Sequence, residues 1–195
     1  YKLQKNDQVI LYNITFSTQK KNITKTLYKA TKKDLSYSSY IFIENNENFA
    51  VINKPAGLVV HPAAGHGSGT LVNALLNHCP DIGKLPRAGI VHRLDKDTTG
   101  LMVVAKTLTA HAHIVEQLQS REMGREYETI VAGVMTSGGT INEPIARSTK
   151  NRKKMAVTPF GKKAVTHYRI MERFAAHTHI RVKLETGRTH QIRVH

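Results

Sequence analysis

Apolar and polar positions alternate in short runs along most of this chain, and the period changes with position. Asp7-Gln8-Val9-Ile10-Leu11 passes from polar to apolar and predicts one short strand, too short to fold by itself. From 13 to 40, Lys, Thr, Ser and Asn dominate and the apolar residues have no period, so this segment reads as a basic linker or arm. Beyond it the β-rich runs Ile41-Phe42-Ile43 and Phe49-Ala50-Val51-Ile52 flank the turn-like Asn45-Asn46-Glu47-Asn48, and a compact domain is expected to begin here. Pro55 and Gly57 end the second run, and Leu58-Val59-Val60 predicts a further short strand.

Thr70 is placed to cap a helix from Leu71 to about Cys79, in which Leu71, Ala74, Leu75 and His78 share one face. A second helix is expected from Thr109 to Ser120, with Ala112, Val115 and Leu118 facing inward. Between them Leu101-Met102-Val103-Val104-Ala105 is an unbroken apolar run that suits a central strand buried on both faces. Strands follow at 127–134, 165–174, 177–184 and 191–195. Helices among such strands predict an α+β fold, a mixed and mainly antiparallel sheet with flanking helices.

Charge changes this picture. The 29 Lys+Arg against 14 Asp+Glu leave a formal +15 and a pI near 10.0, so a polyanion is the first partner to consider, against the plainer reading of a solvated cationic surface. A single cysteine, Cys79, excludes an intrachain disulfide and suits a reducing, cytoplasmic setting. No apolar run approaches the roughly 18 residues of a membrane span, so no membrane partner is expected. The chain opens on Tyr1 rather than Met and closes inside a patterned segment at His195, and both ends are expected to continue.

Two clusters can carry chemistry. Gly89-Ile90-Val91-His92-Arg93-Leu94-Asp95-Lys96-Asp97-Thr98-Thr99-Gly100 crowds polar side chains at the entrance to the buried run. A carboxylate flanked by Arg93 and Lys96 tends to stay ionised and suits a nucleophile or general base, although a solvated turn with Asp97 or Thr98 capping would look the same. The second cluster, Leu184-Glu185-Thr186-Gly187-Arg188-Thr189-His190-Gln191-Ile192-Arg193-Val194-His195, places planar donors after a turn. Arg188 suits bidentate pairing with a carboxylate or phosphate, and a basic hairpin is the competing reading.

These residues carry a resemblance. His92-Arg93-Leu94-Asp95-Lys96-Asp97-Thr98-Thr99-Gly100 resembles the signature of RluA-type pseudouridine synthases. Val51-Ile52-Asn53-Lys54-Pro55-Ala56-Gly57 through His61-Pro62, Arg125-Glu126-Tyr127, and Gly187 through His195 resemble its other motifs, in the family's order. The stretches from Pro86 to Lys106 and from Ala164 to Tyr168 are most similar to the members that modify large-subunit ribosomal RNA. The segment from Tyr1 to Leu11 resembles the trailing edge of an S4-type RNA-binding domain. The implied organisation is 1–12 for that edge, 13–40 for the linker and 41–195 for an incomplete catalytic domain.

The resemblance implies a cofactor-independent, metal-free isomerisation of uridine to pseudouridine in large-subunit ribosomal RNA by a monomer. It makes Asp95 the catalytic carboxylate, Arg188 the cation that orients it and Tyr127 the ring stacked on the target base. Arg93 would enter the space left by the flipped nucleotide, and His92 would shape the motif. Arg147, Lys150, Arg152, Lys153 and Lys154 form the strongest basic stretch, with Lys162 and Lys163 nearby, and are expected to track RNA phosphates without reading sequence.

Other signals are set aside. Gly65-His66-Gly67-Ser68-Gly69-Thr70 lacks the Gly-Lys-Ser/Thr ending of a phosphate-cradling loop. His111 with His113, and His177 with His179, lack a clear third metal ligand. Three competing functions remain: an inert ribosomal-RNA-binding or assembly module, a synthase acting on transfer RNA, and a nucleosidase, which would call for a second catalytic acid and no basic surface.

Overall fold

The computed structural model describes residues 9–10, 42–63 and 68–195. The expected linker, most of the S4-like edge and residues 64–67 of the glycine-rich loop lie outside the described residues. The chain divides into a unit of Thr15–Met123 and a unit of Tyr1–Ile14 with Gly124–His195. Strand β1 (Val9–Ile10) belongs to the latter.

In the Thr15–Met123 unit, β2 (Phe42–Asn45) and β3 (Phe49–Lys54) form a hairpin closed by Asn46, whose side chain accepts from the Asn48 and Phe49 N–H groups. Helix α1 (Leu71–His78) follows, capped by Thr70 as the sequence indicates, with Asn73 completing a reciprocal capping box. No strand forms at Leu58-Val59-Val60. The Val59 and Val60 carbonyls instead accept from Leu71 and Val72 N–H, which supplies two of the acceptors that the first turn of a helix lacks. A short 3-10 helix, Pro80–Lys84, and a tight turn, Pro86–Gly89, lead toward the Asp95 loop.

Strand β4 (Gly100–Ala105) pairs antiparallel with β3. Its expected burial is found, but β3, not β4, is central in the order β2-β3-β4. Ile52, Met102, Val103 and Ala105 are fully buried. Helix α2 (Leu108–Ser120) is capped by Thr107 and buries Ile114, while Ala112, expected inward, is exposed.

The other unit is built on a five-stranded sheet in the order β1-β5-β10-β9-β6, antiparallel at every pairing, made with β5 (Glu126–Ala132), β6 (Gly139–Asn142), β9 (Val165–Arg173) and β10 (His177–Leu184). A separate hairpin joins β7 (Ile145–Arg147) to β8 (Met155–Val157). The segment 191–195, expected as a strand, is instead the single-turn helix α3 (Gln191–Val194), entered through His190 in the left-handed region at φ 58°. Among the described residues these elements bear out the α+β, mainly antiparallel expectation.

Candidate active site

Asp95 sits half-buried at the head of a tight turn closed by Thr98 N–H donating to its carbonyl at 3.2 Å. Leu94, 3% exposed, pins the loop to the core, and the neighbouring Arg93 is exposed. His92 Nε2 accepts from Val103 N–H at 2.9 Å, which fixes the unprotonated nitrogen of the ring and ties the start of the loop to β4.

The other tie is Lys54, a residue of the first motif to which the sequence pattern assigns no role. It is 0% exposed, and its ammonium donates to Pro55 O at 2.8 Å, Leu58 O at 2.9 Å and Lys96 O at 2.8 Å. All three N–H groups are therefore used, and one of them holds the residue after Asp95. Burial pushes this ammonium down to about 8 from its usual 10.5, while the Asp97 and Asp95 charges act the other way. A signal existed in the pattern: Ala50, Ile52 and Lys54 share one face of β3, so the lysine occupies a core position.

Tyr127 and Arg188 belong to the other unit. Tyr127 is 8% exposed on β5, in register with Val182, on the sheet face that also carries Thr129 and Val131. Arg188 lies in the bend between β10 and α3, and its Nε donates to Lys163 O at 2.9 Å. A bidentate carboxylate would then be met by the terminal Nη1/Nη2 fork rather than the side-on Nε/Nη2 pair.

The bend is organised by Gln191, 2% exposed. Its Oε1 accepts from the Thr186 hydroxyl at 2.8 Å and Arg188 N–H at 2.9 Å, and its Nε2 donates to Val165 O at 3.0 Å and Thr166 Oγ1 at 2.9 Å. Both ends of the amide are saturated. Burying a glutamine is tolerable on those terms, and the need for these partners turns the alternating 191–195 pattern into a helical turn.

The basic stretch forms the ordered loop of the β7–β8 hairpin. Arg147 Nη1 donates to Arg152 O at 2.9 Å, Ser148 N–H to Lys154 O at 2.9 Å, and Lys154 N–H to Asn151 O at 2.9 Å. Lys150, Arg152, Lys153 and Lys154 are exposed on it. The histidines set aside as metal ligands have other surroundings: His179 Nε2 lies 3.1 Å from Glu128, which also pairs with Arg181 at 2.6 Å. Among the described residues no group of three or more His, Cys, Asp or Glu is arranged to hold a metal ion.

A family model described as RNA pseudouridylate synthase matches residues 48–195. The chain is 70% identical over 153 residues to the ribosomal large subunit pseudouridine synthase D of Pseudomonas aeruginosa, covering 78% of this chain and 48% of that protein. It is 63% identical over 155 residues to the protein of the same name from Yersinia pestis, covering 80% and 47%. The chain thus spans about half the length of the curated relatives it matches. Among solved structures, human RNA pseudouridylate synthase domain containing 4 aligns with a TM-score of 0.62 at 27% identity, over 79% of this chain and 62% of that one. Human RNA pseudouridylate synthase domain containing 1 aligns with a TM-score of 0.61 at 23% identity, over 78% and 62%, a likeness of fold.

Proposed function

The chain belongs to the RNA pseudouridylate synthase family, and from that membership we propose that it carries the catalytic core of an enzyme converting uridine to pseudouridine in large-subunit ribosomal RNA. The observation that carries the proposal is the rigid presentation of Asp95, whose loop is fixed by His92 at one end and by Lys54 at the other. A reacting carboxylate needs such support, because a group held loosely loses the benefit of orientation.

The reaction conserves atoms. The bond from ribose C1′ to uracil N1 breaks, C1′ joins C5, the C5 proton is lost and N1 gains one. Asp95 would initiate it by attack on the ribose, by attack on the ring, or by assisting loss of a ribose proton. Arg188 supplies the guanidinium that orients the carboxylate, and Tyr127 the ring against the target base. Arg93 fills the gap left by the flipped nucleotide, while His92 shapes the loop that carries it. Arg147, Lys150, Arg152, Lys153 and Lys154 track backbone phosphates. The reaction calls for no cofactor, and the accompanying proposal is a cytoplasmic monomer. Among the described residues no helix is long and apolar enough to cross a membrane.

The test incubates full-length wild-type and Asp95→Asn proteins with unmodified large-subunit ribosomal RNA and maps pseudouridine. Wild type should modify defined uridines and the variant none. Equal product from both would remove Asp95 from its role. RNA binding without product from either would favour the inert binding module.

A further inference from the structure

Beside the Asp95 loop lies a feature that the proposed reaction does not use. In Pro86–Gly89 the backbone of Arg87 (φ 52°, ψ 33°) and Ala88 (φ 51°, ψ 45°) is left-handed, and Gly89 continues at φ 75°. A left-handed residue bearing a Cβ costs roughly 1–2 kcal/mol, so two in succession persist only where the surroundings impose them. The imposition is visible. Ala88 N–H donates to Leu85 O at 3.0 Å and Ile90 N–H to Arg87 O at 3.2 Å, and Ile90 bridges Val104 of β4. Gly89 packs so closely on β4 that a Cβ there would collide with the Ala105 carbonyl oxygen.

The side chain that this strained turn presents is an exposed guanidinium. Arg87 Nη2 lies 3.0 Å from His61 Nε2, and since arginine only donates, the imidazole is the acceptor. Burial, Arg87 and Arg93 together hold His61 below its usual range, which keeps it neutral and suited to that part. The Arg87 guanidinium is thus held at one edge by a half-buried imidazole, and among the described residues no carboxylate forms an ion pair with it. An exposed guanidinium fixed by a neutral acceptor rather than by a carboxylate, at the expense of backbone strain, suits an anionic ligand.

We propose that Arg87, held by His61, forms a binding site for a phosphodiester group of the RNA substrate, with the Arg87 guanidinium as its principal ligand. His61 holds one edge of that guanidinium and leaves its other N–H groups for phosphate oxygens. The site rests on the RNA reading above and adds to it a backbone contact in the unit that carries Asp95.

The test measures fluorescence anisotropy of a labelled, unmodified large-subunit ribosomal RNA transcript across a salt series, using full-length wild type, Arg87→Gln and Arg87→Lys. Arg87→Gln should weaken binding about tenfold and reduce the slope of log K against log salt by about one. Arg87→Lys should regain the slope but not the full affinity, since lysine lacks the fork. Wild-type affinity and slope in Arg87→Gln would overturn the site. So would weakened binding with an unchanged slope, which marks a change of fold rather than loss of a phosphate contact. If wild type makes no pseudouridine yet Arg87→Gln still loses a unit of slope, the catalytic reading falls while the phosphate site stands.

Discussion

The loop bearing Asp95 and the bend bearing Arg188 each hang on one buried polar side chain, Lys54 in the first and Gln191 in the second. The two anchors solve different problems. The strand end and turn around Lys54 present three carbonyl oxygens and no spare donors, which an ammonium with three N–H groups satisfies. The bend around Gln191 presents two donors, the Thr186 hydroxyl and Arg188 N–H, together with the Val165 carbonyl and the Thr166 hydroxyl, and an amide, with two N–H groups and a carbonyl oxygen that accepts twice, meets all four. The first solution buries a charge and the second does not. Tying a site to a buried ammonium makes it both costlier to disturb and sensitive to protons.

Lys54→Met should be the most damaging change. It keeps the apolar stem and leaves three carbonyls without their donor, two of them in the turn after β3 and one beside Asp95. Each buried carbonyl left without a partner costs about 1–3 kcal/mol, so stability should fall by about 3–5 kcal/mol, and turnover should be lost with it. Denaturant unfolding and single-turnover pseudouridine formation measure the two effects. A loss under about 1 kcal/mol would mean that water reaches these carbonyls and that Lys54 is no anchor.

Gln191→Met should do less, because volume is nearly kept and no charge is involved. Four hydrogen bonds go, some groups find other partners, and the cost should be about 2–3 kcal/mol. The bend holding Arg188 should loosen, so single-turnover rate should fall by more than RNA affinity does. Equal losses of rate and affinity would place the damage in general folding and erase the distinction between the two anchors.

This contrast also shows what sequence exposes. Strand β10 was legible because Thr178, Ile180 and Val182 alternate with His179 and Arg181, and the strand runs from His177 to Leu184 as expected. The α1 start was legible because Thr70 and Asn73 make a local cap. Gln191-Ile192-Arg193-Val194 alternates just as well, yet four residues are too few to separate period 2 from 3.6, and bonds to Val165, Thr166 and Thr186 decide the matter. Strands β6, β7 and β8, at three or four residues each, are too short for alternation to announce them. Asp95, Tyr127 and Arg188 stood out through motif order, and His92 with them, whereas Lys54 and Gln191 had no role assigned. Lys54 shares a strand face with Ala50 and Ile52, but a lysine at a strand end ordinarily reads as exposed, and the left-handed backbone at Arg87 and Ala88 is imposed through the packing of Gly89 and Ile90 on β4.

The smallest expected effect is the proton sensitivity, and it sharpens the comparison most. With the Lys54 ammonium pushed down to about 8 from 10.5, both folded and unfolded chains hold its proton at lower pH. Between about 8 and 10.5 the folded chain releases a proton that the unfolded chain keeps, so this group adds to stability as pH rises through that window. Geometry moves the opposite way. A free amine has two N–H groups facing three carbonyls, so one bond is given up, and the longest tie in sequence is the one to Lys96 beside Asp95. Turnover should therefore decline a few-fold as pH passes about 8, while the denaturant midpoint does not fall with it. Single-turnover rates and urea midpoints at matched points from pH 7 to about 8.5 check this below the range where tyrosine ionises. The Gln191 anchor has no proton to lose and contributes nothing to such a trend. A rate that stays flat over the interval, or a midpoint that drops in step with it, would show that the ammonium does not govern the Asp95 loop.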